Sequence, residues 1–296
     1  MGRLDGRVAV VTGAGRGIGA EVAGLLAAEG AQVVVNDPGV AVDGTGADQS
    51  LAESVVDSIN RAGGTAVADF SDVTDPEQAE SLVARALDTY GGLHVLANVA
   101  GILRDGMIFN LSHEDWKAVL NVHLDGTFNT TRHAAAFWRA NRIESGYRLI
   151  NFASVAGLFG APGQPNYSAA KAGIVGFTYS CAAALGRYGV TANAVAPAAI
   201  TRMAGTIDPQ KAAALGLDRE DLSPAATAFA VAYLASVDSS WLTGRVIGCR
   251  GGRISLYTRP AVEREVIAAD GWSVDSVFEE FPRAFDPERA ALGGMA

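Results

Sequence analysis

Short apolar, β-branched runs alternate with segments of helical length as far as residue 252. "RVAVVTG" (7–13), "AQVVVND" (31–37), "TAVADF" (65–70) and "LHVLANVAG" (93–101) are almost continuous in apolar residues. A strand that is apolar on both faces must be covered on both faces. The segments between these runs can supply that cover. "GAEVAGLLAAEG" (19–30), "DQSLAESVVDSINRAGG" (48–64) and "DPEQAESLVARALDTYGG" (75–92) carry apolar residues at helical spacing and end on glycine. Asp75 is a helix N-cap and Pro76 fits the first helical position. The alternation continues with helices expected over 113–141, 165–189 and 224–236, and strands over 147–154, 190–197 and 244–252. Right-handed crossovers between such strands build a doubly wound α/β domain over residues 1–252, with a parallel sheet of about seven strands. Two stretches break the alternation. "PGVAVDGTGA" (38–47) is a long Gly- and Asp-rich loop. Residues 253–296 form a C-terminal extension with one short amphipathic helix at most, expected to pack on the core or on a neighbouring subunit.

"TGAGRGIGA" (12–20) follows the first strand directly and opens the first helix. Glycine lets the backbone turn sharply and approach a pyrophosphate with no Cβ in the way. The helix N-terminus adds unpaired N–H groups and partial positive charge. This makes the fold Rossmann-type. Gly13, Gly17 and Gly19 fit a GxxxGxG spacing, while Gly15, Gly17 and Ala20 fit GxGxxA; both registers stay open. Asp37 ends the second strand, where an acid accepts from a ribose hydroxyl and repels a 2′-phosphate. It favours NAD over NADP. Arg16, inside the glycine loop, pulls weakly the other way.

Net charge is −9, and no Lys/Arg cluster is visible, so phosphate neutralisation on a nucleic acid is disfavoured. No segment approaches the ~20 apolar residues of a membrane span. Two cysteines, Cys181 and Cys249, make no disulfide framework, and the N-terminus has no secretory pattern, so a cytoplasmic location is expected. His94, His113, His123 and His133 lack metal-ligand spacing and read as surface or packing residues. No metal site is expected. GxSxG is absent, which removes support for a serine hydrolase.

"QPNYSAAK" (164–171) places Tyr167 and Lys171 one helical turn apart. Alone they would be two surface residues sharing a face. With TGxxxGIG (including Ile18), Asn98 in "NVAG" and Ser154, all in order, the chain resembles the classical short-chain dehydrogenase/reductase family over residues 4–252. "VVVNDPG", "AGILRDGMI" (100–108), "HEDW" (113–116), "NVHLDGTF" (121–128), "NYSAAKAGIVG" (166–176) and "APAAITRM" (196–203) are similar to the dehydrogenase module of peroxisomal multifunctional enzymes and their bacterial relatives, which act on 3-hydroxyacyl-CoA esters. The resemblance implies that Asp72 and Val73 line an adenine pocket. It implies that Asn98, Ala100 and Gly101 border the adenine ribose, and that Pro197 and Thr201 sit near the nicotinamide. It also implies that Asn121 holds a water linking Lys171 to solvent, and that long helices pair subunits into a homodimer or homotetramer. Val99 stands where the family often has a second Asn, so altered hydrogen bonding at the end of strand four is expected.

The same constellation suits oxidation of a secondary alcohol. Tyrosine titrates near 10. A lysine ammonium one turn away is expected to lower that value and let Tyr167 act as the base, with Ser154 polarising the substrate oxygen. The expected activity is NAD-dependent interconversion of an alcohol and a ketone on a small-molecule substrate of the 3-hydroxyacyl-CoA type. A reductase of 3-oxoacyl-carrier-protein, steroids or other ketones, and a nucleotide-binding sensor without turnover, are the alternatives.

Overall fold

The computed structural model describes residues 2–143, 146–197, 224–269 and 271–285. The chain divides into two compact units, Met1–Tyr257 and Thr258–Ala296.

The first unit is built on an eight-stranded sheet: β1 (Val8–Thr12), β2 (Gln32–Asn36), β3 (Thr65–Asp69), β4 (Val95–Asn98), β5 (Tyr147–Phe152), β6 (Val190–Pro197), β7 (Val246–Arg250) and β8 (Arg253–Leu256). Their spatial order is β3-β2-β1-β4-β5-β6-β7-β8. Every pairing is parallel except β7 with β8, which is antiparallel. The eighth strand was not expected. Arg250 pairs with Arg253, so the Gly251–Gly252 turn reverses the chain at once, helped by a left-handed Gly251 (φ 50°). All four β8 residues are exposed, two of the short-edge devices, brevity and charge, being present.

The described helices of this unit are α1 (Gly17–Ala28), α2 (Ser50–Arg61), α3 (Pro76–Tyr90), α4 (His113–Leu120), α5 (Gly126–Ala140), α6 (Val155–Phe159), α7 (Pro165–Leu185) and α8 (Pro224–Ala235). The side-chain alternation of each strand divides the core in two. Ala9, Val11, Val33, Val35, Val95 and Ala97 pack with Val22 and Leu26 of α1 and Val231 and Leu234 of α8. Val8, Val10, Val34 and Leu96 pack on the opposite face with Leu82 of α3 and Trp138 of α5. Trp138 is fully buried, donates Nε1–H to the Leu93 carbonyl at 2.8 Å, and stacks on Tyr147. Asp75 caps α3 as expected, accepting from the Glu77 and Gln78 N–H groups ahead of Pro76.

The helix expected over 113–141 is not continuous. A single π turn, Asn121–Asp125, separates α4 from α5. Such a turn inserts a residue and rotates the side chains that follow, and it recurs at functional sites.

In the second unit, α9 (Val274–Ala284) starts with a Ser273–Ser276 capping box and leaves Val274, Phe278 and Phe281 exposed. Among the described residues no helix is long and apolar enough to cross a membrane.

Candidate active site

The carboxyl ends of the central strands lie level: Thr12 is opposite both Asn36 and Asn98, and Asn98 is opposite Asn151. Strand order reverses between β1 and β4, so the segments leaving them diverge to opposite faces and open a crevice. A cavity of about 1160 Å³ fills it.

At one side stands the glycine loop. Gly13, Arg16, Gly17, Ile18 and Gly19 all line the cavity. Gly13 has φ 62°, and a Cβ there would lie 2.6 Å from Ala100 Cα, so glycine is needed for β1 and the turn after β4 to touch. That turn is held by Thr12 Oγ1, which accepts from the Val99 N–H at 3.0 Å and the Ala100 N–H at 3.1 Å. This is how the strand-four end is satisfied with valine at position 99. Helix α1 begins with no side-chain cap and no acidic residue in its first turn. Its first N–H groups and partial positive charge therefore face the cavity ready for an anion.

Asp37 is buried at the end of β2. One carboxylate oxygen accepts from the Gly15 N–H at 2.9 Å and the other from the Gly39 N–H at 2.8 Å. Each oxygen keeps a second acceptor site. The Arg16 guanidinium donates to the Val40 carbonyl. The loop after β2 folds over this end of the cavity. The Asp48 N–H bonds the Gly39 carbonyl at 3.0 Å, the Leu103 N–H bonds the Val42 carbonyl at 2.9 Å, and Arg104 Nε donates to the Asp43 carbonyl at 2.8 Å. Val40, Val42 and Gly44 thereby join the lining, although they belong to the Gly- and Asp-rich loop that breaks the strand–helix alternation.

Asp72, Val73, Ala100, Gly101 and Pro197 line the cavity too. Asn98 does not. It is buried under the floor, donating to Thr131 Oγ1 at 3.2 Å and Asn151 Oδ1 at 3.0 Å and accepting from Thr130 Oγ1 at 2.7 Å. Its side chain braces β4 against β5 and α5. Thr201 lies outside the described residues.

The opposite side carries Ser154, Tyr167 and Lys171. Ser154 caps α6 through the Ala156 N–H at 3.2 Å. α6 lies directly on α7: a Cβ on Gly157 would fall 2.6 Å from the Lys171 backbone carbon. That contact sets Ser154 against the first turns of α7, where Tyr167 and Lys171 share a face. Asn166, fully buried, anchors the same helix end. It donates to the Arg104 carbonyl at 2.8 Å and accepts from the Tyr167 N–H at 2.8 Å. No local sequence signal marks the Arg104 contact, because the two residues are remote in the chain.

Lys171 is buried, donates Nζ–H to the Phe152 carbonyl at 2.6 Å, and sits 5.6 Å from the Tyr167 ring centroid. Burial draws its ammonium down to about 7. The Tyr167 phenol was expected to be lowered by this lysine. It is raised instead, because burial outweighs the other influences; a hydrogen bond with Ser154 pulls it back and Asp105 adds to the rise. Gln164 holds Asp105 in place at 2.8 Å.

Asn121 lines the cavity, but its side chain is exposed. Two residues on, the π turn directs His123 inward, where it is buried and stands edge-on to Tyr167 with ring centroids 5.2 Å apart. The packing role expected for this histidine holds, at the site itself. Among the described residues, no group of three or more His, Cys, Asp or Glu could hold a metal ion.

Comparison with known proteins agrees with this geometry. A family profile described as short chain dehydrogenase matches residues 7–212. The chain is 41% identical over 309 residues to the hydroxyacyl-CoA dehydrogenase ChsB1 of Mycobacterium tuberculosis, covering 97% of this chain and 92% of that protein. It is 43% identical over 232 residues to the peroxisomal multifunctional enzyme type 2 of Drosophila melanogaster, covering 78% of this chain and 37% of that protein. A crystal structure of a short chain dehydrogenase from Mycobacterium avium superposes with a TM-score of 0.84 at 45% identity, covering 96% of each chain. With the glycine loop, the switch-point cavity and the Ser154, Tyr167, Lys171 cluster all present in one fold, the chain belongs to the short-chain dehydrogenase family of oxidoreductases, whose members bind a nicotinamide cofactor.

Proposed function

We propose that this protein is an NAD-dependent oxidoreductase that interconverts a secondary alcohol and a ketone, acting on substrates of the 3-hydroxyacyl-CoA type. The observation that carries the reading is that Ser154, Tyr167 and Lys171 line one cavity, the Lys171 ammonium 5.6 Å from the Tyr167 ring, together with an uncapped helix N-terminus and a buried acid.

The residues present fit a dinucleotide. The α1 N-terminus suits a pyrophosphate, and the spare acceptor sites of Asp37 suit a ribose diol. A 2′-phosphate would meet the Asp37 charge, and Arg16 is turned to the Val40 carbonyl rather than free to offset it. Asp72, Val73, Ala100 and Gly101 would flank the adenosine half, and Tyr167, Lys171 and Pro197 the nicotinamide half. At about 1160 Å³ the cavity exceeds the ~300–1,000 Å³ of ordinary small-ligand pockets, leaving room for a second molecule. When bound, the nicotinamide accepts or supplies the hydride.

The chain's own groups handle the proton. Ser154 Oγ donates to the substrate oxygen and fixes it beside the Tyr167 hydroxyl. Tyr167 takes the proton in oxidation and returns it in reduction. Lys171, held on the Phe152 carbonyl, places its positive charge next to the phenolate that forms. Leu103, Val122 and Pro162 in the lining, with Met107, Ile108 and Phe109 exposed on the following loop, suit an apolar acyl chain. A homodimer or homotetramer would use the face of α5 and α7, where exposed Phe128 meets Phe177 edge-on.

The test is initial-rate measurement of NAD and NADP reduction with short- and medium-chain 3-hydroxyacyl-CoA, free alcohols and sterols. Tyr167→Phe is expected to lower kcat by roughly 10²–10⁴-fold while NAD still binds. Near wild-type turnover in that variant would remove Tyr167 from the chemistry. NAD binding without turnover on any substrate would point to a sensor.

A further inference from the structure

Asp105 is a carboxylate at the catalytic side of the cavity to which the chemistry above gives no task. It lines the same cavity as Ser154 and Tyr167. Three consecutive residues fix its place. The Arg104 carbonyl accepts from the Asn166 amide, Asp105 Oδ2 accepts from Gln164 Nε2, and the Gly106 N–H donates to the Gly163 carbonyl, each at 2.8 Å. Residues 104–106 are thus bound to 163–166, the segment that leads into Tyr167. Asp105 is exposed rather than sunk in the wall, so its charge meets whatever enters. The same charge already reaches Tyr167, whose phenol it helps to push up.

The cations nearby are engaged elsewhere. Among the described residues Asp105 is in no ion pair. Arg104, its neighbour in sequence, gives Nη1 to Asp115 at 3.2 Å and Nε to the Asp43 carbonyl at 2.8 Å. Lys171 is 4% exposed and gives its Nζ–H to the Phe152 carbonyl. A ligand carboxylate brought close to Asp105 therefore meets a like charge. Two such charges about 6 Å apart weaken binding by roughly 3–100-fold, for an effective dielectric constant between about 80 and 20. Specificity is often built from a repulsive element of this kind.

We propose that Asp105, held by Gln164, is a specificity-determining residue that admits acyl groups carried as an uncharged thioester and turns away the free 3-hydroxy and 3-oxo acids. The proposal rests on the oxidoreductase reading and deepens it, by naming what the carboxyl end of the substrate must be. In a 3-hydroxyacyl compound the carboxyl carbon is only two bonds from the carbon that is oxidised. With that carbon beside Tyr167, an ionised carboxylate stays within range of the charge at Asp105, on whichever side of the reacting carbon it lies. A thioester carbonyl in the same place carries no charge. The phosphates of a CoA carrier stand at the far end of its arm, where salt screens them.

The experiment measures NAD-linked oxidation of the N-acetylcysteamine thioester of 3-hydroxybutyrate, and its inhibition by free 3-hydroxybutyrate, for wild type, Asp105→Asn, Asp105→Glu and Tyr167→Phe. The two ligands share one acyl group and differ in charge at its carboxyl end. The quantity read is the inhibition constant of the free acid divided by the KM of the thioester. Asp105→Asn keeps the shape of the side chain and is expected to lower that ratio by roughly 3–30-fold at low salt. Asp105→Glu keeps the charge and is expected to hold the ratio within about twofold of wild type. The gap between wild type and Asp105→Asn is expected to narrow as ionic strength rises from about 0.02 to about 0.5 M. An unchanged ratio in Asp105→Asn, or equal changes in Asn and Glu, would show that the side chain only braces the loop and would overturn the proposal. A gap indifferent to salt would overturn it as well. Wild type alone gives a check that needs no variant to fold: the free acid should inhibit more strongly as salt rises, and weaker inhibition would mean that the site attracts the anion. The Tyr167→Phe arm separates the two levels. If that variant retains turnover, the oxidoreductase reading fails and this proposal falls with it. If it is inactive while Asp105→Asn keeps the wild-type ratio, only the proposal fails.

Discussion

Replacing Lys171 with methionine should make the folded protein more stable near neutrality while removing its activity. Lys171 is 4% exposed, and burial draws its pKa from 10.5 to about 7. Between those values the unfolded chain holds a proton that the folded chain does not. Unfolding then takes up a proton, so stability rises with pH across the window from about 7 to about 10.5, at a limiting slope of about 1.4 kcal/mol per pH unit. Below about pH 7 both states are protonated, and the folded state bears the whole cost of the buried charge, on the order of 5 kcal/mol. Methionine keeps the length of the side chain and carries no charge. It also takes the donor from the Phe152 carbonyl, at a cost of about 1–3 kcal/mol. Lys171→Met is therefore expected to be more stable than wild type at pH 6 by about 2–4 kcal/mol, and to lose that advantage by about pH 10. Urea unfolding of both proteins at steps between pH 6 and pH 10 measures it. Only the difference between the two curves matters, because tyrosines and cysteines elsewhere titrate in both. Parallel curves would refute the reasoning: they would mean that the lysine is not held partly neutral in the folded state.

Two further perturbations probe the cofactor end and the histidine pocket. Asp37→Ser removes the buried carboxylate and its bonds to the Gly15 and Gly39 N–H groups; the NAD-to-NADP ratio of kcat/KM should fall by roughly 10–100-fold, equivalent to the ~1.5–3 kcal/mol of a charge-assisted bond, and steady-state kinetics with both cofactors would show an unchanged ratio if Asp37 played no part. Gly101→Ala sets a methyl 2.2 Å from His123 Cε1 and should cost about 1–3 kcal/mol in urea unfolding. Adding His123→Ala should recover much of that loss, and strictly additive effects would contradict the contact.

The outline of the fold was legible because its signals are local. Apolar runs as complete as 8–11, and the Asp75–Pro76 cap and start, state their own structure. The glycine loop was legible for the same reason: Gly13 follows the strand and Gly17 and Gly19 open the helix, all within eight residues of sequence. Tyr167 and Lys171 could be paired by the helical period alone. The missed eighth strand had a signal as well, a Gly-Gly dipeptide between "VIGCR" and "RISL", which is a two-residue hairpin pattern. Asn98 and Asn166 were illegible in a different way. Each is explained only by partners far off in sequence, Asn151 and Thr130 for one and Arg104 for the other.

The placement of His123 beside Tyr167 shows the limit most clearly. A regular helix turns about 100° per residue, so which side chain of "NVHLD" faces α7 depends on every residue before it being α-helical. One inserted residue in a π turn resets that phase, and nothing in the residue types announces it. The confirming mark lies elsewhere in the chain, in the missing Cβ of Gly101 against the imidazole. Read singly, Gly101 is a turn residue and His123 a packing residue. Read together at 2.2 Å from a would-be Cβ, they constrain each other, because an alanine at 101 excludes the ring and a ring at 123 demands the glycine. The packing beside Tyr167 thus depends on a pair 22 positions apart that neither periodicity nor composition could have joined.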